Sequence, residues 1–419
     1  MFGRLVLAQA VGGGGGQVTL EQVQRLALER NADLLAVRQE IAAARGFLTQ
    51  AGLRPNPGLD MSFGTGRPLG SSGEQDFEIG YAHTFELGGK RARRIDVGRV
   101  GVEIAELLVA DRERRLKAEI TVRYAEALAA TRHLETLSEL ADVTTRAARA
   151  AEHRVAEGEA APVERALLRV EAGRLSAERL LAESAGARAI AELKLAAGFD
   201  PNEPLTLGGD LRPAGISMSL EEAIATALAE RPDLKAARAE EARAAADVRL
   251  ARAERVPDVI GLVRYGRTQS RFAQLGLTPG GQPVPLIDTD HILTFGISIP
   301  LPFANRNQGL VEASNARQRA ATLRRQFVEQ SVLTEVRAAY AQLTAVRRAI
   351  EAFDQDVVSQ SQESIIVIRA SYDLGEVALF DLLQEQRRLV ETQQAYTEIL
   401  KEYSVARAAL SAAIAAEVK

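Results

Sequence analysis

The side chains that most often carry chemistry are few in this sequence and do not converge. The four histidines, His83, His133, His153 and His291, are scattered, and none stands at the short helical spacing of a metal-ligand pair. No bound metal is expected. Cysteine is absent, which removes disulfides, thiolate metal centres, a cysteine nucleophile and a lipidated N-terminal cysteine. No serine lies in a nucleophile-elbow context. Charged pairs such as Glu103 with Glu106 and Arg112 with Arg115 fall on helix faces, where solvated ion pairs are the simplest reading. Gly88-Gly89-Lys90-Arg91 suggests a phosphate cradle at a helix start. The Walker spacing is missing, however, and so is a parallel strand-loop-helix unit around it. The glycines fit better as a sharp exit from strand to helix, with the lysine and arginines at a membrane-water boundary. Neither an enzyme nor a cofactor is expected.

The elements around these residues are read from composition and period. Of the 419 residues 46% are hydrophobic but only 5% aromatic, so the core cannot be built from rings. Alanine, leucine, arginine and glutamate dominate long stretches, a mix that belongs to long helices or coiled coils. A formal net charge of -4 gives no reason to expect nucleic acid as a partner. There is no apolar run long enough for a transmembrane helix, so any membrane crossing must use strands. The N-terminus, residues 1–17, reads either as the remnant of a signal peptide or as a disordered tail with a run of glycines from Gly12 to Gly16.

The chain also repeats itself. Leu20-Glu21 matches Leu220-Glu221, Asp33-Leu34 matches Asp233-Leu234 and Pro57 matches Pro257, all at an offset of 200. Gly80 then matches Gly296, Lys90 matches Arg306 and Tyr124 matches Tyr340 at 216, while Gly158 matches Gly375 at 217. Two tandem copies follow, at 18–208 and 209–419, with 16 extra residues between Pro257 and Gly296. Glycines and prolines from Gly276 to Pro285 make that insertion read as a loop.

Each copy reads helix, strand, strand, long helix, helix. Leu20 to Arg54 has helical spacing, with Thr19 as N-cap and Gln22 completing a capping box. Seams with apolar residues three or four apart run through Leu107, Ile120, Tyr124 and Leu128, and through Leu333, Val336, Tyr340 and Leu343. From Ala304 to Tyr372 a continuous helix would rise about 100 Å at roughly 1.5 Å per residue. Strands are expected at about 58–66 and 77–85, and at about 259–269 and 291–299. In the first pair Leu59, Met61 and Phe63 alternate with polar residues, as do Phe77, Ile79, Tyr81 and Phe85. From the alternation alone, a small hairpin packed on helices reads equally well.

Four strands cannot close a barrel, and open edges in lipid strand backbone groups without partners. A membrane role therefore needs oligomers. Two chains are the minimum for the smallest barrels and three give twelve strands; arithmetic does not choose between them.

The order of elements, repeated twice, resembles the TolC-type outer-membrane efflux factor family over roughly residues 18–415. The local marks are Thr19-Leu20-Glu21 with Ser219-Leu220-Glu221, Phe85-Glu86-Leu87-Gly88-Gly89-Lys90-Arg91, Pro300-Leu301-Pro302-Phe303, and Tyr372-Asp373-Leu374-Gly375-Glu376 leading to Phe380-Asp381-Leu382-Leu383. The resemblance implies a mainly α protein with a membrane β-barrel part. It implies a homotrimer, with a 12-strand barrel in outer-membrane lipid continued by a periplasmic α-helical barrel. It implies turns at Gly158-Glu159 and Leu374-Gly375-Glu376 that contact a periplasmic adaptor, and an inner-membrane pump of the RND type. Tyr372 and Asp381 match residues that line a closed aperture, and Glu164 is the first-copy equivalent of Asp381. A threefold ring of Asp381 carboxylates would favour cations. Gln384 stands where a second acidic ring is expected, and Val377 where a basic gate partner is expected. Phe85 to Arg91 is similar to the branch that serves heavy-metal cation pumps. The competing class is a soluble coiled-coil scaffold or a periplasmic adaptor, which would share the helices but not the matched hairpins.

Overall fold

The computed structural model describes residues 17–70, 73–211, 218–354, 357–374 and 376–417. The segment read as a signal remnant or tail, apart from Gln17, lies outside the described residues. The first copy forms α1 (Leu20–Arg30), α2 (Ala32–Gly52), β1 (Gly58–Thr65), β2 (Gln75–Phe85), α3 (Lys90–Ala156) and α4 (Pro162–Ala197). The second forms α5 (Leu220–Glu230), α6 (Pro232–Ala253), β3 (Val259–Leu277), β4 (Pro283–Ser298), α7 (Gln308–Asp354), α8 (Val357–Asp373) and α9 (Leu379–Ile414). The compact units do not follow the tandem copies. One draws on Met1–Gln39, Leu107–Lys235 and Phe327–Lys419, the other on Glu40–Glu106 and Ala236–Gln326, so each takes pieces of both.

The first unit is helical, and its core follows the seams. Leu116, Ile120 and Tyr124 of α3 are buried, as are Val332, Val336 and Leu343 of α7 and Leu410 and Ile414 of α9. Burying one leucine or isoleucine fully contributes roughly 1.5–3 kcal/mol. Val23, Ala27 and Leu34 are fully buried, and so are Ala223, Ala227 and Leu234, the same three positions 200 residues on. Both short helices open on a capping box. The Thr19 N–H donates to Gln22 Oε1 at 2.9 Å, and the Ser219 N–H donates to Glu222 Oε2 at 2.8 Å. The Tyr124 hydroxyl donates toward the Val18 carbonyl at 2.8 Å and also lies against that of Gly208, while Tyr340 donates to Met218 at 3.3 Å. Each tyrosine thus pins the chain just ahead of a first helix.

The single helix expected over Leu20 to Arg54 is in fact two. Asn31 leaves helical geometry at φ -62°, ψ 115°, and Arg231 does the same at φ -61°, ψ 121°. Pro232 disfavours helix at the residue before it. Asn31 holds the break from both sides: its Oδ1 accepts from Leu34 N–H at 2.8 Å and its Nδ2 donates to the Ala196 carbonyl at 2.8 Å. Arg231, with its side chain 4% exposed, pairs with Asp233 at 2.5 Å and Glu335 at 2.6 Å and reaches the Ala413 carbonyl at 3.4 Å. Arg114 adds a contact to the Ala412 carbonyl and pairs with Asp111 at 2.6 Å. The ends of α4 and α9 are therefore closed by donors from the two breaks, where a helix dipole favours positive charge.

The second unit holds one sheet, ordered β1-β2-β3-β4 and antiparallel throughout. Its register aligns Met61, Ile79, Tyr265 and Leu293 in one row and Leu59, Tyr81, Val263 and Phe295 in the next. That face is apolar and mostly exposed. The other face carries Asp60, Ser62, Glu78, Arg264 and Thr294, with Arg264 and Glu78 3.9 Å apart. At the helices beside the sheet, Gly98 of α3 passes so close to α2 that a methyl there would meet Leu48 Cα at 3.2 Å. No helix among the described residues is long and apolar enough to cross a membrane.

Three further expectations are corrected. The insertion is mostly strand, not loop: β3 runs on to Leu277 and β4 starts at Pro283, joined by a turn in which the Gly281 N–H donates to Thr278 at 2.9 Å. Pro283 and Pro285 are tolerated because β4 is an edge strand. The helix expected from Ala304 begins at Gln308, and the strand expected from residue 77 begins at Gln75. Residues 355–356, between α7 and α8, lie outside the described residues.

Removing Arg231 takes the cation from Glu335 and leaves Asp233 with only Arg114, at 3.8 Å. Arg231→Ala is expected to cost about 3–5 kcal/mol and Asn31→Ala about 1–3 kcal/mol. Arg231→Lys should recover only part of the loss, because lysine lacks the fork. Thermal loss of the helical circular-dichroism signal checks this order.

Candidate functional site

Three places carry the residues singled out from the sequence. The first is the pair of helical turns. After α3 ends at Ala156, Gly158 takes φ +80°, and the Glu159 N–H bonds back to the Arg154 carbonyl at 2.8 Å. After α8, the Glu376 N–H bonds to the Ser371 carbonyl at 2.9 Å, the same closure 217 residues on. Such a closure suits a residue with positive φ, which glycine adopts freely. Gly375 itself lies outside the described residues. Glu159, Leu374 and Glu376 are exposed.

The second place lies just behind the turns. Glu164 and Tyr372 line one cavity of about 180 Å³, floored by Leu168, Leu379, Leu382 and Leu383. Thr144 also lines it, and its buried hydroxyl has no partner. Asp381 is not among the lining residues. It is exposed in the first turn of α9, where its carboxylate accepts from the Ala378 N–H at 3.1 Å. The structure therefore brings Tyr372 and Glu164 together and leaves Asp381 as an exposed capping carboxylate outside their cavity.

One neighbouring residue had escaped the sequence reading. Glu171 of α4, its side chain 4% exposed, pairs with Arg174 at 2.7 Å and with Arg387 of α9. Burial opposes its charge, but hydrogen bonds from Arg174 and Arg387 outweigh that and hold its carboxyl below the ordinary glutamate value. The spacing of Glu171, Arg174 and Glu178 was the available signal for the local part. Nothing in the spacing pointed to Arg387.

The third place is the exit from strand to helix. Gly88 and Gly89 take φ +70° and +71° in succession. At Gly88 a methyl would sit 2.9 Å from Val256 Cβ and 3.0 Å from the Ala253 carbonyl, whereas Gly89 faces open space. Lys90 corrects the expectation of a boundary cation. Its side chain is 11% exposed, and its ammonium pairs with Asp258 at 2.7 Å, while the Leu87 N–H donates to the same carboxylate oxygen at 3.1 Å. Burial again opposes the charge on Asp258, and Lys90 prevails, keeping the carboxyl low. Arg91 donates to the Gly52 carbonyl at 2.5 Å, closing the end of α2, and Arg94 pairs with Glu86 at 2.5 Å. In the second copy Asn307, at φ +57°, donates to the Ala251 carbonyl at 3.0 Å. Pro302 lies exposed between β4 and α7. The sequence hid Asp258 because Gly58 stands at its place in the first copy.

The described residues thus form a sheet with an oily exposed face, joined by tight exits to long helices. The comparisons give the family. The profile described as outer membrane efflux protein matches residues 23–198 and 223–416, and the chain belongs to that family. The cobalt-zinc-cadmium resistance protein CzcC of Cupriavidus metallidurans is 26% identical over 389 residues, covering 92% of this chain and 87% of that protein. The crystal structure of CusC superposes at a TM-score of 0.73 with 18% identity, covering 94% of this chain and 91% of that one. The CmeC outer membrane channel of Campylobacter jejuni gives 0.75 with 17% identity, covering 94% and 85%. The chain is thus a non-enzymatic outer-membrane efflux channel, the exit duct of a tripartite system, with a helical extension in the periplasm.

Two outcomes follow from this geometry. Gly88→Ala is expected to lower the yield of membrane-assembled protein well below that of Gly89→Ala. Both lose a left-handed glycine at about 1–2 kcal/mol, but only Gly88→Ala also clashes; heat-shifted gel mobility of outer-membrane fractions measures it. Because the Glu171 carboxyl is depressed on folding, its stabilisation is full above the ordinary glutamate value and is lost as pH falls through the lowered one. A melting-temperature series against pH should therefore decline at acid pH in the parent, and less so in Glu171→Gln.

Proposed function

We propose that three copies of the chain assemble into one 12-strand barrel, β4 of each pairing with β1 of the next, and that this trimer passes heavy-metal cations outward. The observation that carries the reading is the sheet: an apolar face exposed to solvent and two edges, β1 and β4, unpaired within the chain. Phe63 is 69% exposed, Phe295 72% and Ile297 74%. Lipid accepts such a face and water does not. The 11 residues of β2 suit a tilted membrane-spanning strand of about 9–11 residues.

The helices then continue the duct as a periplasmic α-helical barrel. The exposed turn residues Gly158, Glu159, Leu374 and Glu376 take the adaptor together with Gly375, which lies outside the described residues, and an inner-membrane pump of the RND type supplies the energy. Three Asp381 carboxylates ring the closed aperture with Tyr372 and Glu164 behind them. The heavy-metal reading draws support from CzcC and from the nickel-cobalt-cadmium resistance protein NccC of Alcaligenes xylosoxydans xylosoxydans, which is 31% identical over 281 residues.

Planar-bilayer conductance of the detergent-purified protein tests this reading. The expected result is a steady, low, cation-selective conductance in the parent, with selectivity several-fold weaker in Asp381→Asn. Protein that stays soluble and monomeric without detergent, and forms no channel, overturns it in favour of a coiled-coil scaffold.

A further inference from the structure

The strand register assigns each charge of the sheet to a face. In the rows that β2 and β3 share, from Phe85 with Val259 to Gln75 with Gln269, the oily face carries one arginine, Arg267, and no carboxylate. The carboxylates of those rows, Asp60, Asp76, Glu78 and Asp290, all alternate onto the other face, where a second arginine, Arg264, stands 3.9 Å from Glu78. Arg267 is exposed and has no ion-pair partner among the described residues. Closure into a barrel supplies none, because β1, the strand a neighbouring copy would lay beside β4, brings only Leu59, Met61, Phe63 and Thr65 to that face. A counterion for Arg267 has to come from outside the protein.

The depth of Arg267 says which anion is at hand. The helices join the sheet at the Phe85 and Val259 end and continue into the periplasm, so the Gln75 and Gln269 end is the outer one. Along β3, Arg267 lies roughly 26 Å from Val259, or roughly 20 Å in height at the usual strand tilt. The outward apolar band of such barrels is about 25 Å tall. The row of Phe63, Phe77, Arg267 and His291 is the last with large apolar side chains, and the next, Thr65, Gln75, Gln269 and Thr289, is polar throughout. Arg267 therefore stands close to headgroup depth, where its long stem lets the guanidinium reach lipid phosphates.

His291 completes the arrangement. It is directly opposite Arg267 on β4, which brings their Cβ atoms to about 4.5–5.5 Å. Its Nδ1 lies 2.7 Å from the Tyr265 hydroxyl, and the two rings stack at 6.0 Å. With Tyr265 donating to Nδ1, the proton sits on Nε2, which is left for a ligand. A guanidinium offers a phosphate two parallel N–H donors, and the neighbouring ring nitrogen offers a third. We propose that Arg267 and His291, steadied by Tyr265, bind the phosphate of an anionic lipid of the outer leaflet, one lipid per chain. The inference rests on the barrel proposed above, since there this face meets lipid.

Native mass spectrometry of the detergent-purified protein reads the oligomer and its bound lipid together. Lipid A is offered in its phosphorylated form and, separately, with the phosphates removed and the acyl chains unchanged. The expected result is a trimer that retains the phosphorylated form several-fold more than the dephosphorylated one. Arg267→Gln should abolish that preference, His291→Gln should weaken it, and Arg264→Gln, on the other face, should leave it unchanged. A trimer that retains the two forms equally, or that loses the preference as fully in Arg264→Gln as in Arg267→Gln, overturns the phosphate site and leaves the barrel standing. Protein that is not a trimer by mass overturns both.

Discussion

A strand edge in hydrocarbon leaves its outward N–H and C=O groups without partners, at several kcal/mol for each group. This sheet has two such edges, on the eight-residue β1 and the 16-residue β4, with an apolar face between them. No rearrangement within one chain removes them, because four strands are too few to close. Self-association is therefore a condition of membrane insertion rather than an addition to it. The inequality of the two edges matters as well. β4 is twice as long as β1, so a pairing of these two edges between copies would satisfy only about half of the longer strand.

The two copies agree where the fold needs them to and differ where the duct needs direction. Tyr124 and Tyr340 hold the same backbone, Asn31 and Arg231 close the same helix ends, and Arg91 and Asn307 close the ends of α2 and α6. These are donors to carbonyls that a helix end or a turn leaves free, so either copy would fray without them. The differences are of another kind. Lys90 with Asp258 joins one copy to the other, and its copy-two counterpart, Arg306, instead receives a hydrogen bond from Arg255 on its carbonyl. Glu171 and Arg387 likewise tie α4 to α9. The equivalent contacts build each repeat and the unequal ones join the two.

What could be read in advance was whatever is local. The capping box at Thr19, the buried seams and the alternation of Leu59, Met61 and Phe63 depend on spacing along one element, and spacing is visible in sequence. The break at Asn31 was not, because the acceptor of its amide, Ala196, is 165 residues away. Lys90 was misjudged for the same reason: its partner Asp258 lies 168 residues on. The insertion failed differently. Glycine and proline normally mark a loop, but on an edge strand proline costs no ladder hydrogen bond, and the irregularity after Arg271 broke the alternation that would have shown a strand. Tyr372 was singled out by the family resemblance and Glu164 by alignment of the copies, while their shared cavity depends on four helices meeting.

The same packing says where the helical part can move most cheaply. Its large, fully buried side chains include Leu34, Leu116, Ile120, Leu193, Leu234, Leu343, Leu410 and Ile414, and none of those fully buried lies among the residues around the turns. Near the turns the core thins to Ala151, Leu168, Leu379, Leu382 and Leu383, each slightly exposed, beside a cavity of about 180 Å³ and an unpaired threonine hydroxyl. Voids and unsatisfied polar groups lower the cost of local opening. Glu171, with Arg174 and Arg387, stands between this loose end and the tight base, and links α4 to α9 just where the packing changes. Helices packed this way can rearrange their last turns while the clamps at Asn31 and Arg231 stay closed, because the two ends share helices but not the contacts that hold them.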